Sequence, residues 1–517
     1  MSLRCLVRPI LLLTTFVVVE AHAADQPQWG QQHSRNNVST ETGLPTSFDP
    51  GKVDIRTGEV DPATTKNVRW TAALGNRAHG SPIVADGKVF VGTNNEKPRD
   101  DRIQGDKGVL MCFDEKSGAF LWQLVVPKLY EIKYSDWHYV GISSPPTVED
   151  GFAYLVSNRG EVTCLDVNGL ADGNAGPYKQ EGRHMVTDDQ SPLTDSDKHA
   201  DIVWLFDMVE ELDVQPHNAA NCSVLLDGDL LYICTSNGVE WTHEFVPSPH
   251  APTLIVLNKK TGKLVARDDF GIGGDIVHGQ WSSPAMATID GRKQLCLGTG
   301  NGYLYGFEPF IQQTSSQGSD KTAKLKNVWH FNGHPLAQTQ DVVPLDHTHD
   351  TTSYLVTAVP VYHGDSIYVP VTQECYHNMN KGWVVCVAAD QTGNVTRSGL
   401  RWSYDESGAS VSTVSVYDDM VFVADFGGRV HCLDANTGTP HWVQKIGGPI
   451  WGSTLVADGK VYIGNGRGEV WVLAAQKELE VIERIRMRDR VLSSITAANG
   501  ALYIATSRTL YAVANDE

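Results

Sequence analysis

The chain lacks the short motifs that identify most kinds of enzyme. It contains no Gly-x-Ser-x-Gly nucleophile turn, no His-Glu-x-x-His helix, no phosphate-binding loop and no dinucleotide-binding glycine pattern in the right context. It has no pair of adjacent cysteines and no Cys-x-x-Cys-His sequence, which excludes covalent attachment of a c-type haem. The sequence therefore gives no direct indication of a reaction.

The chain also has little basic charge and few long stretches of helical periodicity. It carries 42 Lys and Arg against 61 Asp and Glu, a net charge of −19, and no basic cluster. This balance disfavours nucleic acid and anionic membrane surfaces as partners. With 41% hydrophobic residues, 48 Gly and 24 Pro, the composition is typical of a soluble all-β protein.

A repeated pair of strands is the most informative feature that is present. The segments 421–434, 461–474 and 502–514 follow one pattern. The middle of the second strand of each repeated pair gives eight anchors: Cys112, Cys164, Val256, Gly306, Cys386, Cys432, Val472 and Ala512. Ahead of each anchor is a pair typical of a tight hairpin turn: Asp86-Gly87, Asp150-Gly151, Asp227-Gly228, Asp290-Gly291, His363-Gly364, Asp418-Asp419, Asp458-Gly459 and Asn499-Gly500.

Eight small antiparallel sheets can bury their faces against one another in a closed ring. The repeats therefore predict an eight-bladed β-propeller of four-stranded blades. The eighth unit has three strands of its own, and we expect Val68–Leu74 to complete it and close the ring. We expect a signal peptide over residues 1–23, an extended segment over 24–64 and a single propeller over 65–517.

The N-terminus resembles an export signal. Arg4 and Arg8 precede an apolar run, and Ala21-His22-Ala23 has the form of a cleavage site. Cys5 lies in the charged leader, so it cannot carry a lipid at the cleavage point. We expect a periplasmic or secreted protein with no stable membrane insertion after cleavage.

Eight cysteines would remain after cleavage. Because Cys112, Cys164, Cys386 and Cys432 occupy equivalent repeat positions, we expect them to be small buried residues packed between blades. A disulfide between Cys222 and Cys234, or between Cys375 and Cys386, is the alternative in an oxidising compartment.

Units such as 81–91 joined to 108–122, and 428–442, resemble the PQQ-like (quinoprotein-type) propeller repeat. The resemblance covers roughly residues 65–514, and the chain has no Trp-Asp dipeptide, which weakens the WD40 alternative. Six tryptophans stand where that family has its blade-docking tryptophans: Trp70, Trp122, Trp204, Trp329, Trp402 and Trp442. The segment 29–45 is similar to a leader found in exported propellers of this type.

The resemblance implies two functions. Some members hold pyrroloquinoline quinone (PQQ) and Ca²⁺ over the ring centre and oxidise alcohols or sugars. Others, similar to the propeller lipoprotein of outer-membrane protein assembly, have no cofactor and bind proteins. We expect a non-catalytic scaffold that binds a protein or small-molecule ligand at the propeller mouth; the alternative is a quinoprotein alcohol or sugar dehydrogenase with an atypical cofactor site.

Loops entering the first strand of each blade, and loops between its second and third strands, are expected on one face of the ring. The first set supplies His79, His217, Asn218, His278, Gln280, Trp281 and Trp451; the second supplies Arg159, Glu240, Trp241, His243, Asn301, Glu374, His377, Arg429 and Arg467. Arg159 and Arg467 occupy the same repeat position, and two guanidinium groups could bind a carboxylate-rich quinone. The predicted cofactor residues are Arg159, Arg467, Asn301, Glu240, Trp281 and Glu374.

Clustered histidines suggest a metal site. His347, His349 and Asp350 lie in one inserted loop, and His377 or His363 could add a ligand from the same blade. Imidazole and carboxylate ligands at short spacing suit zinc or copper. The segment Glu240-Trp-Thr-His243 beside His217 is a second candidate, while exposed or hydrogen-bonded histidines are the alternative in both places.

Overall fold

Antiparallel hairpins account for nearly all of the regular structure. The computed structural model describes residues 24–31, 33–54, 56–129, 135–311, 322–339, 353–373 and 381–515. Eight sheets each contain four antiparallel strands, in sequence order in seven of them, so the predicted eight-bladed β-propeller is confirmed. We number the blades 1 to 8 along the chain and count the strands of each blade outward from the ring axis.

The first four blades contain the longest insertions. Their strands are Ile83–Ala85, Lys88–Asn94, Lys107–Asp114 and Phe120–Pro127 in blade 1; Thr147–Glu149, Phe152–Val156, Glu161–Asp166 and Asp201–Asp207 in blade 2; Leu225–Asp227, Leu230–Cys234, Leu254–Asn258 and Leu264–Arg267 in blade 3; Ala285–Ile289, Arg292–Gly298, Tyr303–Phe307 and Asn327–Asn332 in blade 4.

The last four blades are more regular. Their strands are Val361–His363, Ser366–Gln373, Gly382–Ala388 and Leu400–Tyr404 in blade 5; Ser415–Tyr417, Met420–Ala424, Arg429–Asp434 and Pro440–Lys445 in blade 6; Leu455–Ala457, Lys460–Asn465, Glu469–Ala474 and Val481–Arg486 in blade 7; Thr496–Ala498, Ala501–Ala505, Thr509–Val513 and Val68–Ala73 in blade 8. The N-terminal strand is the outermost strand of blade 8, which confirms the predicted closure.

The remaining elements are short. Strands Ala323–Lys324, Gly393–Asn394 and Tyr354–Leu355 extend blades 3, 4 and 5, and Lys52–Val53 pairs with Val60–Asp61. The helical elements are Glu181–His184 and Met208–Leu212, with 3₁₀ turns at Pro62–Thr64, Gly169–Ala171, Ile272–Asp275 and Pro335–Gln338. No helix in the described ranges is long and apolar enough to cross a membrane.

The tight turns between first and second strands follow the prediction in six blades. In blade 1, for example, Asp86 and Gly87 both have positive φ, at 54° and 69°. Blades 3 and 5 differ by one residue, because Asp227 pairs with Leu230 and the turn is Gly228-Asp229, with positive φ at Gly228 alone. Two-residue turns with this pattern belong to type II′, which needs glycine at its first position. The predicted pairs there were displaced by one residue.

The eight anchors lie on the third strands. In blades 1 to 7 the pairing of the third strand with the fourth strand shifts in register directly after the anchor, and in blade 8 the shift lies beside the residue that pairs with the anchor. In six blades the anchor pairs across the strands with one of the predicted tryptophans, as Cys112 does with Trp122. Five of these indoles donate Nε1–H to a backbone carbonyl of the next blade, at 2.8–3.0 Å. Trp70 and Trp204 also lie against Gly118 and Gly262, where a Cβ would clash with the ring. The tryptophans therefore dock neighbouring blades together.

A belt of hydroxyl groups connects the innermost edges of the blades. The second residue before each first strand is, in order, Ser81, Pro145, Ser223, Ser283, Val359, Thr413, Ser453 and Ser494. The hydroxyl on one blade accepts the backbone N–H of the preceding blade in five links, from 2.9 to 3.1 Å. The belt is interrupted at Pro145 and Val359, whose side chains carry no acceptor.

The segment between Gln26 and Glu41 crosses the inner edges of all eight blades. It pairs with Val84 of blade 1, and its backbone accepts N–H groups from blades 2, 4 and 5. It then contacts blades 6 and 7 through Asn36 and Asn37, and Glu41 accepts the Gly500 N–H of blade 8. Arg35 is fully buried, and its guanidinium donates to backbone carbonyls of Trp29, Ser223 and Pro284. This segment ties the ring together at one end of its axis.

The described cysteines are buried thiols. Burial of Cys112, Cys164, Cys386 and Cys432 between blades is confirmed. The proposed bridge between Cys222 and Cys234 is wrong, because the Cys234 N–H instead donates to the Cys222 sulfur at 3.2 Å. Cys386 is likewise a free thiol, and Cys375 lies outside the described residues.

Candidate functional site at the channel mouth

A cavity of about 160 Å³ lies on the ring axis, and all eight blades contribute to its wall. Trp29 of the N-terminal segment and the hydroxyl belt form part of that wall. Loops entering the first strands add His79, Trp137, Asn218, Trp281 and Trp451. We call the face formed by these loops, together with the loops between second and third strands, the mouth face.

Three histidines from the two kinds of loop meet on the mouth face. His217 precedes the first strand of blade 3, His243 lies between its second and third strands, and His278 precedes blade 4. One ring nitrogen from each lies within 4.8 Å of the other two, and the ring centroids are 4.5–5.1 Å apart. His217 and His278 are buried, and His243 is half-buried. The predicted convergence of the two loop sets is therefore seen directly at this cluster.

Backbone contacts hold the three loops together. Gly238 forms an antiparallel bridge with Gly279, and the Val239 N–H donates to the His278 carbonyl at 3.1 Å. A Cβ at Gly238 would lie 2.5 Å from the Cβ of His217, so only glycine permits this approach. The Trp281 indole donates to the His217 carbonyl at 3.1 Å, which adds a contact between blades 3 and 4.

Burial favours the neutral imidazoles of His217 and His278. Desolvation, with a smaller effect from His243, lowers the pKa of His217 to about 4. Desolvation, followed by His217 and His243, lowers the pKa of His278 well below its ordinary value. Neutral imidazole is the form that binds a metal ion.

Glu240 shapes the loop that carries His243. Its carboxylate accepts the backbone N–H groups of Thr242 and Glu244, at 2.7 and 3.1 Å, and the Thr242 hydroxyl. Burial alone would raise the Glu240 pKa, but these hydrogen bonds and the nearby His243 lower it overall. The His243 backbone has a φ of 65°, in the left-handed region that histidine adopts more often than most residues.

Exposed aromatic side chains lie on the loops next to the histidines. Trp137 and Tyr139 precede blade 2 and expose 37% and 50% of their surface, while Trp241 and Phe245 flank His243 and expose 50% and 57%. The two groups are connected, because the Trp137 N–H donates to the carbonyl of Asn218, the neighbour of His217, at 2.6 Å. Large exposed aromatic side chains concentrated in one place are a feature of interaction sites.

The two arginines proposed to bind a quinone lie in blades 2 and 7. Each precedes a glycine of positive φ, Gly160 or Gly468, which confirms that their repeat positions are equivalent. Arg159 is next to the buried Glu161, at 3.7 Å, and Arg467 lies against Gly447. Neither lines the axial cavity.

The other predicted cofactor residues serve different local contacts. Asn301 is buried, accepts from the Thr299 hydroxyl and donates to the Tyr305 hydroxyl at 3.1 Å. Glu240 holds its own loop, and Trp281 alone of the described members of this set lines the axial cavity. Glu374 lies outside the described residues.

The axial cavity does not fit PQQ with Ca²⁺. Calcium takes about 6–8 oxygen ligands that include carboxylates, yet the described wall carries no Asp or Glu. Among its described residues the wall also carries no Arg or Lys to pair with the quinone carboxylates. At about 160 Å³ the cavity is smaller than the ~300–1,000 Å³ of typical cofactor sites.

The predicted metal ligands His347, His349, Asp350 and His377 all lie outside the described residues, so that metal site stays a prediction. His363 is exposed on the first strand of blade 5. The second candidate, His243 beside His217, is where the structure brings histidines together. His278 was predicted only as a mouth residue, because nothing in its spacing shows that blade 4 places it against blade 3.

Comparison with known proteins agrees with this architecture. A family model described as "Outer membrane protein assembly factor BamB" matches residues 17–128 and 380–514. The crystal structure of BamB from Moraxella catarrhalis has a TM-score of 0.50 and 12% identity, over 87% of this chain and 98% of that one. The chain is a PQQ-like β-propeller. At this level of identity the structural likeness establishes the fold alone.

Two quinohemoprotein alcohol dehydrogenases are also similar to parts of this chain. Quinohemoprotein alcohol dehydrogenase ADH IIB of Pseudomonas putida is 31% identical over 132 residues, which is 22% of this chain and 17% of that enzyme. The quinohemoprotein alcohol dehydrogenase of Comamonas testosteroni has a TM-score of 0.46 and 12% identity, over 96% of this chain and 82% of that one. The match to ADH IIB thus spans less than a fifth of that enzyme's length.

Proposed function

We propose that this protein is an exported, non-catalytic propeller that binds a protein partner through its mouth face. The observation that carries the proposal is the group of exposed aromatic side chains at Trp137, Tyr139, Trp241 and Phe245. Tryptophan and tyrosine supply much of the binding energy of protein interfaces because they bury a large area with few rotatable bonds. A rigid ring holds the loops that carry them.

The surrounding loops are fixed before a partner arrives, which lowers the entropic cost of binding. Lys128 and Asp136 form a buried ion pair at 2.6 Å, and the same ammonium donates to the Trp137 carbonyl at 2.9 Å. Glu240 fixes the backbone between Trp241 and Phe245 in a similar way. Export agrees with the signal-like N-terminus, and the BamB relative supports a partner that is a protein.

Partner capture tests this proposal. The wild-type protein and the variant Trp241→Ser/Phe245→Ser would be immobilised and exposed to the exported proteins of the source organism. We expect a partner retained by the wild type to bind the variant at least tenfold more weakly, because two hot-spot aromatics are lost.

The matched control is Leu479→Ser/Val481→Ser, which removes two apolar side chains of similar exposure from the outer edge of blade 7. This variant should keep wild-type affinity. If a partner binds both double variants with the same affinity, the mouth face is not the binding surface.

A quinoprotein dehydrogenase is the second candidate, and the partial match to ADH IIB favours it. The unfolding temperature of the protein would be measured with and without PQQ and Ca²⁺. Because the described wall of the axial cavity carries no carboxylate to hold calcium, we expect no shift at saturating cofactor. A saturable rise of several degrees, abolished by Arg159→Ala/Arg467→Ala, would support the dehydrogenase instead.

A further inference from the structure

We propose that His217, His243 and His278 form a binding site for a divalent transition-metal ion, with Zn²⁺ as the reference ion. Among the described residues, these three histidines form a group whose potential ligand atoms lie close enough together to hold one ion. The three side chains come from three separate loops of two blades, so a metal here would join those loops. The site goes beyond the proposed function and does not depend on it.

The geometry of the nitrogens suits such an ion. The three donor atoms lie within 4.8 Å of one another. Zinc–nitrogen bonds of 2.0–2.1 Å place the ligand atoms of a tetrahedral site about 3.3 Å apart. The nitrogens must therefore move closer together when an ion binds. His243 can make this movement because it is half-buried on a turn of the blade 3 loop, whereas the rings of His217 and His278 are buried.

The hydrogen bonding of His217 orients one nitrogen as a ligand. Its Nδ1 lies 2.8 Å from the Val239 carbonyl, and a carbonyl accepts only, so Nδ1 carries the proton. The lone pair is therefore on Nε2, which is buried without a hydrogen-bond partner. A backbone carbonyl that fixes the tautomer is the usual arrangement behind a metal-binding histidine. Buried polar atoms in native proteins are normally satisfied, and a metal ion would satisfy this one.

The scaffold holds the ligands in place without the ion. The Gly238–Gly279 bridge and the Val239-to-His278 hydrogen bond fix the loop of blade 3 against that of blade 4. Glu240 fixes the turn that presents His243. Preorganised ligands bind a metal more tightly because less conformational entropy is lost on binding.

The ligand chemistry selects the class of metal. Three imidazoles without a thiolate suit Zn²⁺, Cu²⁺, Ni²⁺ or Co²⁺, whereas Ca²⁺ and Mg²⁺ take oxygen ligands. The Glu240 carboxylate accepts hydrogen bonds from the backbone N–H groups of Thr242 and Glu244, and its negative charge lies near the site. Three protein nitrogens leave the fourth position of a tetrahedral ion for water or for a partner's side chain.

Metal titration of the purified protein tests the site. Protein stripped with a chelator would be titrated with Zn²⁺ by calorimetry and with Co²⁺ by visible absorption, which is strong for tetrahedral cobalt. We expect one ion per chain, and about a hundredfold weaker binding in His243→Ala. His243→Gln should also bind weakly, and circular dichroism should show that both variants are folded, since His243 is only half-buried.

His250→Ala is the matched control, because it removes an exposed histidine from the same loop of blade 3. It should bind both metals like the wild type. The proposal is overturned if the wild type fails to bind one equivalent of Zn²⁺, or if His243→Ala binds it as tightly as the wild type and His250→Ala do.

Discussion

The backbone N–H of Ser453 donates to the hydroxyl of Ser494 across the boundary of blades 7 and 8, at 2.9 Å. Ser494 in turn donates its own N–H to Ser81 of blade 1, at 3.1 Å. These bonds are links in the hydroxyl belt that surrounds the axial cavity. The innermost strands have three to five residues and few pairing partners of their own, so the belt supplies connections that the sheets lack.

Removing one hydroxyl from the belt should weaken the ring. Ser494→Ala takes the acceptor from the Ser453 N–H and from the Trp29 indole, and we expect a loss of about 1–3 kcal/mol in unfolding free energy. Val359→Thr adds a hydroxyl where the belt is interrupted, so we expect it to be neutral or to stabilise the protein by less than about 1 kcal/mol. Urea denaturation measures both changes. If Val359→Thr lost as much unfolding free energy as Ser494→Ala, the hydroxyl belt would not be a stabilising feature of the ring.

Two tryptophans differ in one hydrogen bond and allow a matched comparison. Trp122 donates to the Val167 carbonyl of the next blade at 2.9 Å, whereas the Nε1 of Trp329 is buried without a partner. Both rings are almost fully buried, so Trp→Phe removes similar apolar volume at each. We expect Trp122→Phe to cost about 1 kcal/mol more than Trp329→Phe. Equal losses in urea denaturation would show that the interblade bond adds nothing.

Glu161 should give the protein an acid-dependent stability. Burial alone would raise its pKa, but the nearby His184 and Arg159 and the Ser157 hydroxyl lower it to about 2 from an ordinary 4.5. The unfolded chain therefore binds a proton at this carboxylate before the native chain does, and stability falls as pH drops from about 4.5 to 2. The effect is on the order of 3 kcal/mol. The urea denaturation midpoint of Glu161→Gln should fall less steeply with decreasing pH over that range. If it falls as steeply as that of the wild type, Glu161 is not the source of the acid dependence.

The sequence could predict the ring because its signals are local and repeated. A type I′ turn needs positive φ at two adjacent residues, and pairs such as Asp86-Gly87 supply it within a few residues of chain. The displaced turns at Gly228 and Gly364 were missed because a glycine first position also permits type II′, and the choice depends on strand register.

The site was harder to predict because its contacts cross blades. His278 joins His217 through the bridge between Gly238 and Gly279, and no periodicity in the sequence encodes that approach. The path of the N-terminal segment had the same difficulty, since Arg35 binds the backbone carbonyls of Ser223 and Pro284, which are far away in the sequence. Backbone acceptors have no sequence signature. Of the predicted quinone residues that the structure describes, Trp281 alone lines the axial cavity, and Arg159 and Arg467 lie in different blades because equivalent repeat positions are distributed around the ring.

The most direct test of the mouth face as a binding surface is site-specific photo-crosslinking in the source organism. A photoreactive phenylalanine analogue would replace Trp241 in one strain and Leu479 in another, both exposed positions on the native protein. We expect a discrete protein adduct from position 241 and none from position 479. No adduct from 241, or the same adduct from both positions, would contradict it.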